Sequence, residues 1–467
     1  MKNIDRRNFL KKSSLTAAGL TAAGLSAAYA NQEPERPAKA QYMGDFAAPK
    51  IKNIRAAFIG VGNRGGGHLK FFAGLEGTEV VAISDLYQDN VEKWQKVAYE
   101  TVGKKERHEN IKLYHGDENR WKVMIQEVKP DVVFIATNWV NHAPMAIEAM
   151  NKGAHAFVEV PIATTIKEMW DMVDTSEKTG KHCMMMENVN YSRDELMFLN
   201  MCRKGLIGEI LHGEASYIHE LRSQMEDQER GTGSWRTYHY ANRNGNLYPT
   251  HGLGPVAQYM NLARTDDNFK SIVSYSTPAR GRKLYAEKTY PADHKWNQLD
   301  FKGGDLNTSI IKTTYGRTVM VQWDETSPRP YSRLNLIQGT TGTLAGFPTR
   351  VALEGGVPGV TKSHHEWAQG KEDLEKMYEM YDHPMYKRLT ESTKESGHGG
   401  MDGMMMYRIV ECLQNGWALD QNLYEGCFWS AVGPLSEKSV KEDGAPQKFP
   451  DFTRGNWKST KPLAIIS

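Results

Sequence analysis

The feature that most constrains this chain is a short apolar run that ends in a patterned cluster of glycines. Residues 54–59 (IRAAFI) lead straight into Gly60-Val61-Gly62-Asn63-Arg64-Gly65. A brief apolar run closed by glycine reads as a buried strand. The G-x-G-x-x-G spacing then has a physical meaning at each glycine. The first permits a tight turn, the second lets a pyrophosphate approach the backbone, and the third allows close helix–strand packing. Residues 66–75 supply that helix, with its N-terminal N–H groups facing the phosphates.

The surroundings repeat the pattern. Residues 79–84 (EVVAIS) form a second strand ending at Asp85, about 20 residues beyond Gly65, where a carboxylate hydrogen-bonds the adenosine ribose and repels a 2′-phosphate. That favours NAD over NADP. Residues 131–136 (DVVFIA) run into Thr137-Asn138-Trp139, residues 155–159 (HAFVE) into Val160-Pro161, and a strand over 182–187 ends at Asn188. Helical stretches at 143–152 and 166–179 separate them, which implies a parallel, doubly wound sheet with its ligand outside the strand carboxyl ends. The expected cofactor-binding residues are therefore Gly60, Gly62, Asn63, Arg64, Gly65, Asp85, Trp139, Val140, Asn141, His142, Glu159, Val160 and Asn188. Past about residue 190 the texture changes. Residues 209–220 and 309–323 read as strands rich in Thr, Tyr, Ile and Val between polar loops, and 401–415 reads as a helix. The expected fold class is α/β plus α+β. An N-terminal Rossmann doubly wound parallel sheet (51–190) is followed by a C-terminal largely antiparallel sheet domain with a helical segment (191–467), whose broad sheet offers a homodimer surface.

The first thirty residues combine a basic start, an Ala/Leu/Gly apolar stretch and an Ala-Tyr-Ala end, the pattern of a secretory signal. The apolar stretch is too short for a membrane span. Arg6-Arg7-Asn8-Phe9-Leu10-Lys11 resembles the twin-arginine signal, a route that implies export of an already folded protein to the periplasm. A dinucleotide would have to be loaded before export, so tight binding is expected. Residues 31–50, rich in Pro, Gln, Glu and Ala, read as a linker. Lys+Arg 58 against Asp+Glu 56 gives no electrostatic reason to expect a nucleic-acid partner. The four cysteines form no CxxC pair, and neither His364-His365 nor His212 with His219 sits in a carboxylate arrangement, so no metal site is expected. Met184–Met186 and Met404–Met406 read as core.

The order of glycine loop, strand-end Asp, strand-end Thr-Asn, Glu-x-Pro and sheet domain resembles the glucose–fructose oxidoreductase/inositol dehydrogenase (Gfo/Idh/MocA) superfamily. Within it, Gly62-Asn63-Arg64-Gly65, Trp139 to His142, Glu159-Val160-Pro161, residues 244–255 (NGNLYPTHGLGP) and residues 398–402 (HGGMD) resemble glycoside hydrolase family 109. That family contains NAD-dependent α-N-acetylgalactosaminidases. Superfamily oxidoreductases usually carry Glu-Lys-Pro, whose lysine assists proton transfer; Val160 stands there in this chain and exchanges no proton.

The resemblance implies a redox-neutral glycosidase, an exception to the usual carboxylate pair. Hydride leaves the sugar C3 for NAD⁺, the resulting ketone acidifies C2–H, the glycosidic oxygen departs by elimination, water adds at C1, and hydride returns. His251 is the expected proton carrier, with Tyr248 beside it in the same turn. Tyr217, Arg236, Tyr248, Pro249, Thr250, His251 and Tyr331 match substrate-contact positions. Two other readings stay open on sequence: a periplasmic NAD(P)-dependent sugar oxidoreductase of the glucose–fructose oxidoreductase type, and a sugar- or nucleotide-binding protein without chemistry.

Overall fold

Strands form first where the sequence is continuously apolar. β1 (Ile54–Ile59), β2 (Thr78–Ser84), β3 (Lys112–Tyr114), β4 (Val132–Ile135), β5 (His155–Val158) and β6 (Cys183–Met185) make one parallel sheet in the order β3-β2-β1-β4-β5-β6. This is a computed structural model, and it describes residues 33–101, 108 and 110–465. The expected signal over 1–30 lies outside the described residues. The strand order reverses between β1 and β4, so the crevice beyond their carboxyl ends is where a doubly wound fold binds its ligand.

The two faces of this sheet are covered differently. On one, Phe58, Phe134 and Phe157 stack in a row at 4.9 and 5.1 Å, joined by Phe72 from the helix Asn63–Gly74. On the other, the helices Trp139–Asn151 and Ile166–Thr179 bury Ala143, Met169 and Val173 against Ala57, Val133 and Ile135. The second helix has the bounds read from sequence because its ends are chemically marked. Thr165 and Glu168 form a capping box, and Gly180 closes it in the left-handed conformation at φ 62°. The first begins at Trp139, before the expected 143, and so carries Pro144 inside it, where the ring supplies no N–H to the Val140 carbonyl.

The second sheet has nine strands: β7 (Ile210–Ile218), β8 (Phe269–Ser276), β9 (Leu306–Thr313), β10 (Thr318–Asp324), β11 (Leu336–Gly339), β12 (Gly342–Ala345), β13 (Arg350–Leu353), β14 (Ala368–Gln369) and β15 (Gln447–Lys448). Their order is β14-β13-β12-β11-β7-β10-β9-β8-β15, antiparallel except for the β7–β10 pair. The stretch 309–323 falls within two strands, β9 and β10, turned over Gly316 at φ 96°.

Two features differ from the sequence reading. The helix Met401–Asn415, assigned to the second domain, lies on the first sheet, because its buried Met404, Met405, Met406 and Ile409 fit the apolar face around Phe58 and Phe72. Residues expected as a linker are strapped down from about residue 41. Met43 is buried, its N–H donates to the Tyr424 hydroxyl at 3.0 Å, and Tyr42 stacks on Tyr424 at 4.9 Å. The helix Leu423–Lys441 packs against both β6 and β8 and so ties the two sheets together. All four cysteines are free.

Candidate functional site

The glycine loop after β1 has the geometry that its spacing demands. Gly60 sits at φ 78°, and a Cβ there would lie 2.7 Å from the Ala136 carbonyl oxygen. A Cβ on Gly65 would lie 1.9 Å from the Gly60 oxygen, so only glycine lets the helix Asn63–Gly74 start this close to the strand. A Cβ on Gly62 would meet no heavy atom within 4 Å. That bare position opens onto a cavity of about 1470 Å³, larger than the ~300–1,000 Å³ of ordinary small-molecule pockets. Asp85 lines the same cavity. Its Oδ2 accepts from Val61 N–H at 2.8 Å and its Oδ1 from Tyr87 N–H at 3.0 Å and Asn90 Nδ2 at 3.2 Å, which fixes the carboxylate and leaves a lone pair on Oδ2 for a ribose hydroxyl. A turn without side chains, a helix N-terminus and an oriented acid together fit a dinucleotide.

Arg64 links the loop to both halves of the chain. Its Nε donates to Glu159 Oε1 at 2.8 Å and its Nη1 to Asp402 Oδ2 at 2.6 Å, while His398 Nδ1 lies 2.8 Å from the same Asp402 oxygen. His68 Nε2 meets Glu159 Oε1 at 2.6 Å, and Val160 N–H donates to Glu159 Oε2 at 3.1 Å. Burial by itself would raise the Glu159 carboxyl, but Arg64 and His68 outweigh it and hold it far below the usual carboxylate range. Asp402 follows the same balance, with burial opposed by His398 and Arg64.

Further groups able to move protons line the cavity around Trp139 and Arg236. His251 stands in the first turn of a helix, Thr250–Tyr259, where the sequence reading placed a turn. Gly252 and Gly254 suggest a break but serve close approach instead. A Cβ on Gly252 would lie 2.3 Å from Ser216 N of β7, and one on Gly254 would lie 3.1 Å from Glu187 Cγ. This approach brings His251 Nδ1 within 2.6 Å of Glu187 Oε1. Tyr248 is buried beside Trp139 and Arg236, and burial pushes its phenol well above the usual value, so it is a donor and not a phenolate. Tyr217 is raised by burial likewise, and its hydroxyl shares a 2.9 Å hydrogen bond with His219 Nδ1. The Arg236 guanidinium lies 4.8 Å from the Trp139 ring, with no carboxylate partner among the described residues and Nε buried without an acceptor.

Of the expected residues, Gly60, Gly62, Asn63, Arg64, Asp85, Trp139, Asn141, His142, Glu159, Val160, Tyr217, Arg236, Tyr248 and His251 line this one cavity. His142 lines it by its ring alone, since both nitrogens face the carbonyls of Pro161 and Thr137 at 2.7 and 3.1 Å. Gly65, Val140, Asn188, Pro249, Thr250 and Tyr331 stand outside the lining. Gly65 is buried in the helix–strand contact, and Val140 points to solvent. Asn188 braces Asp402 at 2.8 Å, and Pro249 and Thr250 are buried where the helix begins. Tyr331 packs edge-on against His219 and Tyr217, with its hydroxyl accepting from Arg333 at 2.9 Å. Sequence reasoning did not single out Glu187, His219 as a partner of Tyr217, or the roles of His398 and Asp402. Glu187 had a signal, because like Asp85 and Glu159 it is an acid at the carboxyl end of an apolar run.

Comparison with known proteins agrees with this arrangement. The family model described as "Glycosyl hydrolase 109, C-terminal domain" matches residues 191–459, and that for the oxidoreductase family, NAD-binding Rossmann fold, matches residues 54–187. Glycosyl hydrolase family 109 protein 1 of Akkermansia muciniphila is 61% identical over 434 residues, covering 93% of this chain and 89% of that protein. A family 109 protein of Shewanella baltica is 51% identical with both chains covered in full. Among solved structures, scyllo-inositol dehydrogenase from Lactobacillus casei, with bound NAD(H) and scyllo-inositol, shares the fold at a TM-score of 0.58 and 13% identity, over 85% of this chain and 99% of that one.

Proposed function

The chain belongs to glycosyl hydrolase family 109 and carries an NAD-binding Rossmann domain, and from that premise we propose that it releases a terminal α-linked N-acetylgalactosamine by a redox-neutral route. Bound NAD would supply the acceptor and later the donor of hydride at the sugar C3, and the O3–H proton released with that hydride would pass through the Tyr217 hydroxyl to His219, which burial keeps neutral. The glycine loop and Asp85 hold it, and Arg64 stands beside them with its charge matched by Glu159 and Asp402. Once C3 is a ketone, the C2–H is acidic enough for an imidazole to remove. His251 Nε2 takes that proton, because Nδ1 is committed to Glu187. Tyr248, kept protonated by burial, donates to the departing glycosidic oxygen. Arg236 meets a neutral carbonyl or hydroxyl oxygen of the sugar with its unpaired N–H groups.

The observation that carries this reading is the placement of His251 and Val160 on walls of one cavity. Val160, after Glu159, exchanges no proton, whereas His251 and Tyr248 carry exchangeable protons, and all three line the cavity. Tight retention of NAD is part of the proposal. It is supported by the Arg64–Asp402 link, in which the second half of the chain holds the glycine loop of the first. Export to the periplasm in the folded, loaded state is the corresponding reading of Arg6 and Arg7.

The test incubates purified protein in deuterated water with a chromogenic α-N-acetylgalactosaminide and with related α- and β-glycosides. Sugar release with deuterium at C2 and no lasting NADH absorbance is expected. NADH accumulation without bond cleavage would replace the glycosidase with a sugar oxidoreductase.

A further inference from the structure

We propose that Glu187 is the positioning residue of this site, holding the His251 proton on Nδ1 so that the Nε2 lone pair faces the sugar; this rests on the glycosidase reading above. Glu187 lies just past β6, the strand beside β5 whose end carries Glu159, and its side chain has no exposed surface. Its Oε1 lies 2.6 Å from His251 Nδ1 and also accepts the Val189 N–H at 3.2 Å, and its backbone oxygen accepts from Gln421 Nε2 at 2.9 Å. One carboxyl oxygen is thus held by two partners and the backbone by a third. An ionised carboxylate only accepts, so the contact requires Nδ1–H.

The charge balance separates this acid from the others in the site. Glu159 is compensated by Arg64 and His68, and Asp402 by Arg64 and His398. Glu187 has no lysine or arginine partner among the described residues, and its Oε2 is buried with no hydrogen bond at all. An acid kept in that state for structure alone is a poor arrangement, because a buried, half-satisfied charge costs stability. Its negative charge is directed at the one ring that gains positive charge when Nε2 accepts a proton. The counter-charge is therefore in place before the reaction starts, as in other carboxylate–imidazole pairs. Gly254 is what allows it, since any side chain there would press on Glu187 and Asn190.

Two substitutions and one spectroscopic readout test the assignment. In Glu187→Gln the amide oxygen still serves Val189 N–H and His251 Nδ1–H, so only the charge is lost. We expect unchanged or higher melting temperature, unchanged NAD content, KM within about threefold and kcat lowered about 10–100-fold. In Glu187→Met the acceptor is gone as well, and kcat falls about 10²–10⁴-fold. Adding either change to His251→Ala costs little more, because both act through the ring. Nitrogen-15 histidine spectra of the NAD-loaded enzyme report the tautomer without turnover: Nδ1–H in wild type and Glu187→Gln, a mixture in Glu187→Met. The assignment is overturned if Glu187→Met keeps the Nδ1–H tautomer, or if it keeps kcat within about threefold of wild type. A wild-type enzyme that cleaves no glycoside would sink the glycosidase reading while the tautomer experiment still decides the role of Glu187.

Discussion

Alanine at Gly252 and at Gly254 should damage different things, although the two glycines lie in one helix. At Gly252 the added methyl would sit 2.3 Å from Ser216 N and 2.5 Å from Ser216 O. These are backbone atoms of β7, and Ser216 N–H is itself bonded to the Arg333 carbonyl at 2.8 Å. Restoring a contact of about 3.5 Å moves the helix about 1 Å off the sheet. Overpacking of that kind costs about 3 kcal/mol, and the better helix propensity of alanine returns about 1 kcal/mol. For the compact unit Pro37–Ser467, with an unfolding entropy of about 2 cal/mol/K per residue, the net loss lowers Tm by about 2 °C. At Gly254 the methyl meets side chains: Asn190 Oδ1 at 3.0 Å, Glu187 Cγ at 3.1 Å and Trp429 Cζ3 at 3.3 Å. These yield by a few tenths of an ångström, and the propensity gain leaves Tm nearly unchanged. Glu187 is one of the groups that must yield, however. A misplacement of about 1 Å costs about 10²-fold in rate, so a few tenths should lower kcat about 3–10-fold. Calorimetry and steady-state kinetics on both variants settle the matter. Gly252→Ala melting with wild type, or Gly254→Ala losing stability but no kcat, would show that the close approach does not serve the Glu187–His251 contact.

Three further outcomes follow from the same coordinates. Asp402→Asn removes the charge that anchors Arg64 from the second half of the chain; with Arg64 partly exposed, the loss is about 1–2 kcal/mol, read as roughly tenfold faster release of NAD in dialysis or competition experiments. Tyr248→Phe removes the hydroxyl that burial keeps protonated, so slow alkyl leaving groups should lose about 10²-fold or more in kcat and acidic phenols much less; equal losses for both would take Tyr248 off the leaving oxygen. Burial lowers His155 to about 4 and His182 to about 3, each assisted by the charge of Lys181. Their folded values lie below the unfolded value, so this stability is complete above about pH 6.5 and is lost as pH falls toward the folded values, by about 2 kcal/mol for each ring between pH 6.5 and 5. His182→Phe should flatten the urea-unfolding slope over that interval by about one proton, and an unchanged slope would refute the assignment.

The parallel sheet was legible because its strands are buried on both faces and therefore apolar throughout, and because the glycine spacing reports a local steric need. Cavity-lining residues that follow a strand directly, such as Asp85 and Glu159, were legible for the same reason. Other parts were not. Residues 250–259 carry two glycines and a proline, a composition that argues for a turn, yet the helix forms because β7 and Glu187 require a bare surface there. The pairing of Glu187 with His251 spans 64 residues and depends on that packing, so no local pattern announces it. The helix Gln88–Glu100 is amphipathic but mostly polar, with only Val91 and Ala98 buried, and such a thin apolar stripe is easily passed over. The covering of the first sheet by Met401–Asn415 is a property of the closed chain and not of its order.

The charge balance around Glu159 explains why the residue after it need not be a lysine here. Glu159 is the acid nearest that position, and its charge is already committed to Arg64, His68 and the Val160 N–H. A lysine at 160 would enter a wall that holds Arg64, at a backbone position only 3% exposed, with no free acid beside it. It would bear a desolvation cost without a compensating partner. On the proposed route valine adds no proton-exchanging group after Glu159, so removal at C2 and donation to the departing oxygen would fall to the wall built by β7 and the helix Thr250–Tyr259 with Tyr248 before it. Proton transfer on that wall works only if its base has a defined lone pair and a counter-charge, and Glu187 supplies both. The valine and the buried glutamate are thus two parts of one arrangement: with no base after Glu159, the proposed base at His251 needs a partner that fixes its lone pair, and Glu187 is that partner.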